Sequence, residues 1–265
     1  VYYAAFRLPD VLFAAVASLV SVYVLIPFLE EKIHQSPEKA RAFLSNIFSF
    51  FVFTITACSA MLFVLAPYVL PKLFSGFGPQ ELQTLVHLSR IMLIQPILLG
   101  ISNFFGSIAQ VRQRFLLYAA TPIVYNVGII VGLLVLYPIV GPSGLAWGVV
   151  LGAGLHLLVQ VPYIRVSGMM PRLQFSIDTA TVRKVITVSL PRTLTLSAQQ
   201  ISMLFLQALA SLFATGSISV FAFAYNLQSV PLSIIGVSYS VAAFPTLAKY
   251  FSNGDRELFL KHITT

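Results

Sequence analysis

The stretch Ser217–Ala248, SISVFAFAYNLQSVPLSIIGVSYSVAAFPTLA, contains no charged residue. A helix of that length, rising about 1.5 Å per residue, exceeds a hydrocarbon core of about 30 Å, so the segment can span a bilayer. Its middle is not uniformly apolar. Asn226, Ser229, Ser233, Gly236 and Ser240 recur at three- and four-residue steps and share one helix face. Pro231 within that face removes a backbone hydrogen bond and predicts a bend. Lipid cannot satisfy a freed carbonyl or an amide side chain, so this face is expected to meet protein or a wet cavity. Close helix packing through small residues is the competing explanation.

The rest of the chain has the same character. Of its 265 residues 58% are hydrophobic and 9% charged, and mean hydropathy is +0.89. Soluble domains carry about 25% charged residues. The composition is that of an integral membrane protein, and the long continuous apolar runs exclude an alternating β-barrel pattern. The chain opens at Val1 inside an apolar segment and ends in a polar tail, as expected of a portion of something longer. The single Cys58 has no partner for an internal disulfide.

In order, Val1–Phe6 reads as the end of a span, interrupted by Arg7-Leu-Pro-Asp10. Six spans are predicted next: Val11–Leu29, Phe43–Leu70, Leu85–Gln110, Leu116–Tyr137, Leu145–Ile164 and Val185–Phe213, the last interrupted by Pro191. The opening stretch is the seventh. Ser36-Pro37 reads as a helix start, with serine as cap and proline at the first position. Alternate connectors carry nearly all the cations: Lys32, Lys39 and Arg41; Arg112 and Arg114; Arg165, Arg172, Arg183 and Lys184; Lys249, Arg256 and Lys261. By the positive-inside rule these lie in the cytoplasm. The net charge of +8 therefore reports topology, and nucleic-acid binding is not expected.

Three spans carry polar or small-residue stripes. Gly144, Gly148, Gly152, His156 and Gln160 stand four apart, a spacing that admits a neighbouring helix. Thr193, Ser197, Gln200, Gln207 and Ser211 form a second stripe, with Gln199 beside it. Asn46, Ser49 and Thr56 form a weaker one. Arg192, just past Pro191, lies deep enough that it must snorkel, find water or meet an anion. All eight acids lie in connectors, tails or span edges, so no intramembrane carboxylate for ion coupling is evident. Scattered histidines and a lone cysteine predict no metal site, and no phosphate-binding glycine loop or catalytic triad is present. An enzyme is not expected, nor a cofactor.

The ordered residues are also familiar. Ala5-Phe-Arg-Leu-Pro-Asp10 with Ile26-Pro-Phe-Leu-Glu30 resembles the first two helices of the MurJ/MviN lipid II flippases. Gln113-Arg-Phe115, Thr121-Pro122 and Asn126 resemble their fourth-to-fifth helix passage. Gln200-Ile-Ser202 with Ala210-Ser-Leu-Phe-Ala-Thr-Gly-Ser217 resembles the seventh helix and its turn, and Gly236-Val237 with Pro245 and Lys249 the eighth. The resemblance implies an all-α, polytopic transmembrane helix bundle of the MOP exporter type. Residues 1–213 would form the N-terminal lobe, from the end of helix 1 to helix 7. Residues 214–265 would be the first helix of the second lobe plus a cytoplasmic tail.

It implies further a multi-pass, monomeric protein of the bacterial inner membrane. Such a protein moves a lipid-linked peptidoglycan precursor by alternating access, with membrane lipid and cell-wall synthesis proteins as partners. Arg7, Arg192, Gln199, Gln200 and Asn226 are the expected headgroup contacts, with Pro191 and Pro231 as flex points. The family's basic pair and acid in helix 2 fall here on Phe13, Ala14 and Ser18, and a cavity arginine falls on Asn226. An exporter of another lipid-linked polysaccharide or small solute, or a non-transporting membrane scaffold, is the alternative.

Overall fold

The computed structural model describes residues 1–17, 22–112, 114–237 and 260. It divides into two compact units, Val1–Ala214 and Thr215–Thr265. The described residues form helices and connectors with no strand, an all-α membrane bundle. Five helical stretches are long and apolar enough to cross a bilayer: Pro37–Leu73, Pro79–Val111, Leu116–Val140, Pro142–Val166 and Ser217–Gly236.

The first unit opens with a short α1, Tyr2–Ala5, and α2, Arg7–Ala17. The break falls at Phe6, not across Arg7–Asp10. Pro9 lies in the first turn of α2, where its missing N–H would have had no intrahelical partner. α3 runs Val22–Gln35 and α4 Pro37–Leu73. The predicted span Val11–Leu29 is thus divided between α2 and α3, with 18–21 outside the described residues. The polar connector after it is almost wholly helical and is broken only at Ser36, whose Oγ accepts the Lys39 N–H at 3.2 Å. This is the expected cap.

The third predicted span is two helices, α5 Pro79–Met92 and α6 Ile94–Val111, meeting at Leu93. The Ser59 hydroxyl of α4 donates to the Leu93 carbonyl at that break. α7, Phe115–Val131, passes through a π-helical turn, Gly132–Leu136, into α8, Tyr137–Val140. Gly141, at φ 64°, turns the chain into α9, Pro142–Leu158, and α10 follows at Val161–Val166. α11 spans Thr179–Ala210 without a break at Pro191, so the predicted interruption there is a continuous helix.

Two devices hold this unit together. The first is a glycine seam between α7 and α9. A Cβ on Gly128 would overlap the Gly152 backbone, and one on Gly132 or Gly148 would overlap the other's Cα. The spacing read from sequence therefore marks a backbone-to-backbone contact. The second is an apolar core around α4 and α6. It includes Phe48, which packs on Phe104 and Phe105 with ring centroids 5.3 and 6.0 Å away. Gly100 of α6 sits where any Cβ would strike the Phe51 ring, at 2.5 Å.

The non-helical segment 167–178 is laced to α4 by side chains. Ser45 accepts the Arg172 N–H at 3.0 Å, and Ser49 accepts the Gln174 N–H at 2.9 Å. Asn46 accepts the Asp178 N–H at 2.7 Å and donates to the Asp178 carbonyl at 3.2 Å. Asn46 and Ser49, read as a polar face of a span, therefore substitute for a missing backbone ladder. Thr56 does not join them and is exposed.

The second unit contains α12, Ser217–Pro231, entered through Gly216 at φ 100°. At Pro231 the helix changes into a π-helical turn, Leu232–Val237, at the residue expected to disturb it. Ser240 and the tail from Lys249 lie outside the described residues.

Gly148→Leu is expected to destabilise the bundle by about 1–3 kcal/mol through overpacking of the seam. The check is a lowered detergent thermal midpoint, with Gly154→Ala unchanged because a Cβ there meets open space. Asn46→Ala removes both amide contacts to Asp178, worth about 1–3 kcal/mol in total. Trypsin is expected to nick exposed Arg172 about tenfold faster in that variant, measured by fragment mass over time.

Candidate functional site

The site residues expected from sequence fall on three helices. Arg7 is the first residue of α2 and pairs with Asp10, one turn on, at 3.5 Å. Both side chains are partly buried, at 18% and 29% exposure, and the Arg7 Nε is enclosed with no hydrogen-bond partner. Arg192, Gln199 and Gln200 lie along α11. Arg192 and Gln199 are exposed in this chain and Gln200 is half-buried. Asn226 is exposed on α12, in the second unit, and its carbonyl accepts the Ser229 hydroxyl at 2.8 Å.

Within the first unit α2 packs along α11, so the helix carrying Arg7 lies beside the helix carrying the polar stripe. The stripe itself turns inward. Thr193, Gln207 and Ser211 are buried, and Ser197 and Gln200 are partly buried. The apolar residues Leu194, Phe205 and Leu209 face out. α11 therefore turns part of its polar stripe toward protein, while Arg192, Thr195, Gln199 and Ser202 stay exposed. Ser197 Oγ and Gln207 Oε1 join Arg7 Nε as enclosed polar atoms without a partner. Buried polar atoms are satisfied in the great majority of cases, so three on one helix pair mark a surface suited to water or a polar ligand.

Other polar residues that looked functional are structural. Ser102 of α6 lies 2.6 Å from His156 Nδ1 and donates to the His156 carbonyl at 2.9 Å. Gln160 donates to the Ser102 hydroxyl and, at 3.1 Å, to its carbonyl. The serine hydroxyl lies within hydrogen-bonding reach of both the His156 ring and its carbonyl. His156 thus fastens α9 to α6. Arg90, a cation at the edge of a predicted span, donates from Nε to the Phe63 carbonyl at 3.0 Å and lies over the Phe63 ring at 4.7 Å. Pro67 lacks the N–H that would have occupied that carbonyl. The sequence signal for this role was present: a proline four residues after an acceptor, and a free donor on the next helix.

Comparison with known proteins bears on what such a bundle does. The profile of the family described as "Lipid II flippase MurJ" matches residues 1–265. A protein of Buchnera aphidicola subsp. Acyrthosiphon pisum named "Probable lipid II flippase MurJ" is 28% identical over 96% of this chain and 50% of its own length. The "Lipid II flippase MurJ" of Burkholderia cenocepacia is 25% identical over 96% of this chain and 51% of its own length. The chain spans about half the length of these curated relatives. A match along the whole sequence, joined to an all-α bundle of apolar helices, places this chain in the lipid II flippase MurJ family.

Proposed function

We propose that this chain is part of a flippase that carries a lipid-linked peptidoglycan precursor of the lipid II class across the bacterial inner membrane. The supporting observation is the buried part of the α11 polar stripe, with Ser197 Oγ and Gln207 Oε1 enclosed without a partner, on a helix that packs along α2, which carries Arg7. The family match supports a substrate of the lipid II class for that face.

A lipid diphosphate is dianionic and must leave bulk water to cross. It needs N–H donors that are themselves held out of lipid. Arg7 and Arg192 supply guanidinium groups, whose planar donor sets match phosphate oxygens. Gln199, Gln200 and Asn226 supply neutral donors and acceptors for the sugar and peptide portion. On this reading residues 1–213 are the N-terminal lobe, residues from 214 begin the second, and Pro191 and Pro231 are the flex points of alternating access. The connectors rich in lysine and arginine face the cytoplasm.

Combined substitution of Arg7 and Arg192 by alanine in the full-length gene is expected to abolish rescue of a flippase-depleted strain. Protein level in the membrane should be unchanged. Asn226→Ala alone is expected to act more weakly, because a neutral hydrogen bond contributes about 0.5–1.5 kcal/mol and a charged one about twice that. Full rescue by the double variant would remove the headgroup role of both arginines.

A further inference from the structure

Beside the laced connector lies an open pocket of about 520 Å³ that the transport reading does not use. Lys32 and Gln35 of α3, Lys39 and Asn46 of α4, Gln174 of the connector and Thr181 of α11 line it. Asp178 also lines it, but its carboxylate is turned to its own helix. It accepts from the Ala180 N–H at 3.0 Å and the Thr181 hydroxyl at 2.5 Å. Glu31 is likewise engaged, by Lys32 at 2.9 Å and Gln35 at 3.1 Å. Lys184 faces both carboxylates electrostatically. Among the side chains that line the pocket, Lys32 and Lys39 thus stand against Asp178 and leave one positive charge, the complement of one phosphodiester.

The position along α4 supplies the second half of the argument. No residue between Arg41 and Lys72 is charged. A hydrocarbon span takes about 20 helical residues. Counted back from Phe63, where Arg90 docks, or from Lys72, that length puts the near edge of the hydrocarbon between about Phe43 and Phe53. Lys39, Phe43, Asn46 and Phe53 follow one another at three-, four- and seven-residue steps, hence on one helix face. The pocket lies at one end of that face. At the other, Phe53 stacks on Phe175 of the connector, ring centroids 5.5 Å apart and planes 19° from parallel. Phe175 is 93% exposed and its neighbour Leu173 59% exposed. A fully exposed phenylalanine held against a membrane helix, with cations one pocket away, has the amphipathic order of an interfacial lipid contact.

We propose that the end of α3, α4 and the connector 167–178 form a binding site for an anionic phospholipid, with its phosphodiester between Lys32 and Lys39 and its acyl chain along Phe53 and Phe175. The lipid closes the side of the connector that faces the bilayer. The α4 hydroxyls and amide have already satisfied the connector's backbone on the other side. A phosphate monoester in solution shares the headgroup chemistry but lacks the chain that the aromatic pair holds.

The test uses the full-length protein in detergent, titrated with phosphatidylglycerol, phosphatidylcholine or soluble glycerol phosphate and read by native mass spectrometry. Phosphatidylglycerol should be retained over phosphatidylcholine. The Lys32→Gln/Lys39→Gln double variant should lose that preference by about 25-fold, about fivefold for each lysine. Phe175→Ser should weaken both lipids alike while leaving the preference. Lys39 and Phe175 are exposed and Lys32 partly so, and an unchanged thermal midpoint confirms intact folding. Equal retention of the two lipids by the unaltered protein, or an unchanged preference in the double variant, overturns the proposal. Displacement of the lipid by glycerol phosphate, or by an acidic peptide at equal concentration, assigns the pocket to a soluble ligand and overturns it as well.

Discussion

Every backbone polar group at membrane depth needs a partner from within the protein, because the hydrocarbon offers none. This chain places prolines inside its long helices and then satisfies the carbonyls they free. Pro67 strips the Phe63 carbonyl of its usual donor, and Arg90 fills the position from α5. Pro122 does the same to the Tyr118 carbonyl, and the adjacent Thr121 hydroxyl donates to it at 2.8 Å. The non-helical connector 167–178 poses the same problem over a longer stretch, and Ser45, Asn46 and Ser49 answer it from one face of α4. The Arg90 contact and the lacing of the connector each fasten two segments, so in both polar satisfaction and tertiary assembly are the same event, whereas the Thr121 contact stays within α7.

That equivalence explains which features were legible in the sequence. The Ser36 cap and the glycine seam depend on neighbours within a turn or on a repeating step along one helix, and local pattern reports both. The lacing of the connector depends on pairs more than a hundred residues apart, such as Asn46 with Asp178. Three polar residues on an apolar helix were readable as a face, but not as that face's partner. The continuity of α11 through Pro191 was misjudged for a related reason. A proline removes one hydrogen bond, and a long helix buttressed by α2 and α4 can absorb the loss that would end an isolated one. The break at Leu93 fell inside the run Leu85–Gln110, whose continuous apolar character reads as a single span.

Of the candidate site, the stripe on α11 was visible as three-, four- and seven-residue steps, and the structure buries Thr193, Gln207 and Ser211 of it. What could not be read was the state of Arg7. Its partner Asp10 lies one turn along, a spacing that offers an ion pair without requiring it. The pair is formed, yet it engages one terminal nitrogen and leaves Nε enclosed without a partner. A guanidinium has five N–H donors in a fixed plane, so one carboxylate does not exhaust it.

On the proposed reading that geometry has a consequence for how the cargo is held and released. A cation left bare in a low-dielectric cavity would carry a large desolvation penalty and bind a diphosphate too firmly to let it leave. Asp10 keeps Arg7 partly neutralised when no anion is present, and an arriving phosphate competes with the carboxylate for the same planar donor set. Asn226, where the family resemblance places an arginine, contributes hydrogen bonds without charge. The positive charge that holds the headgroup then rests on Arg7 and Arg192, and the carboxylate beside Arg7 sets how tightly one of them binds. Removing Asp10 alone would therefore strengthen the hold on an anionic headgroup and slow its departure, whereas removing Arg7 would weaken the hold itself.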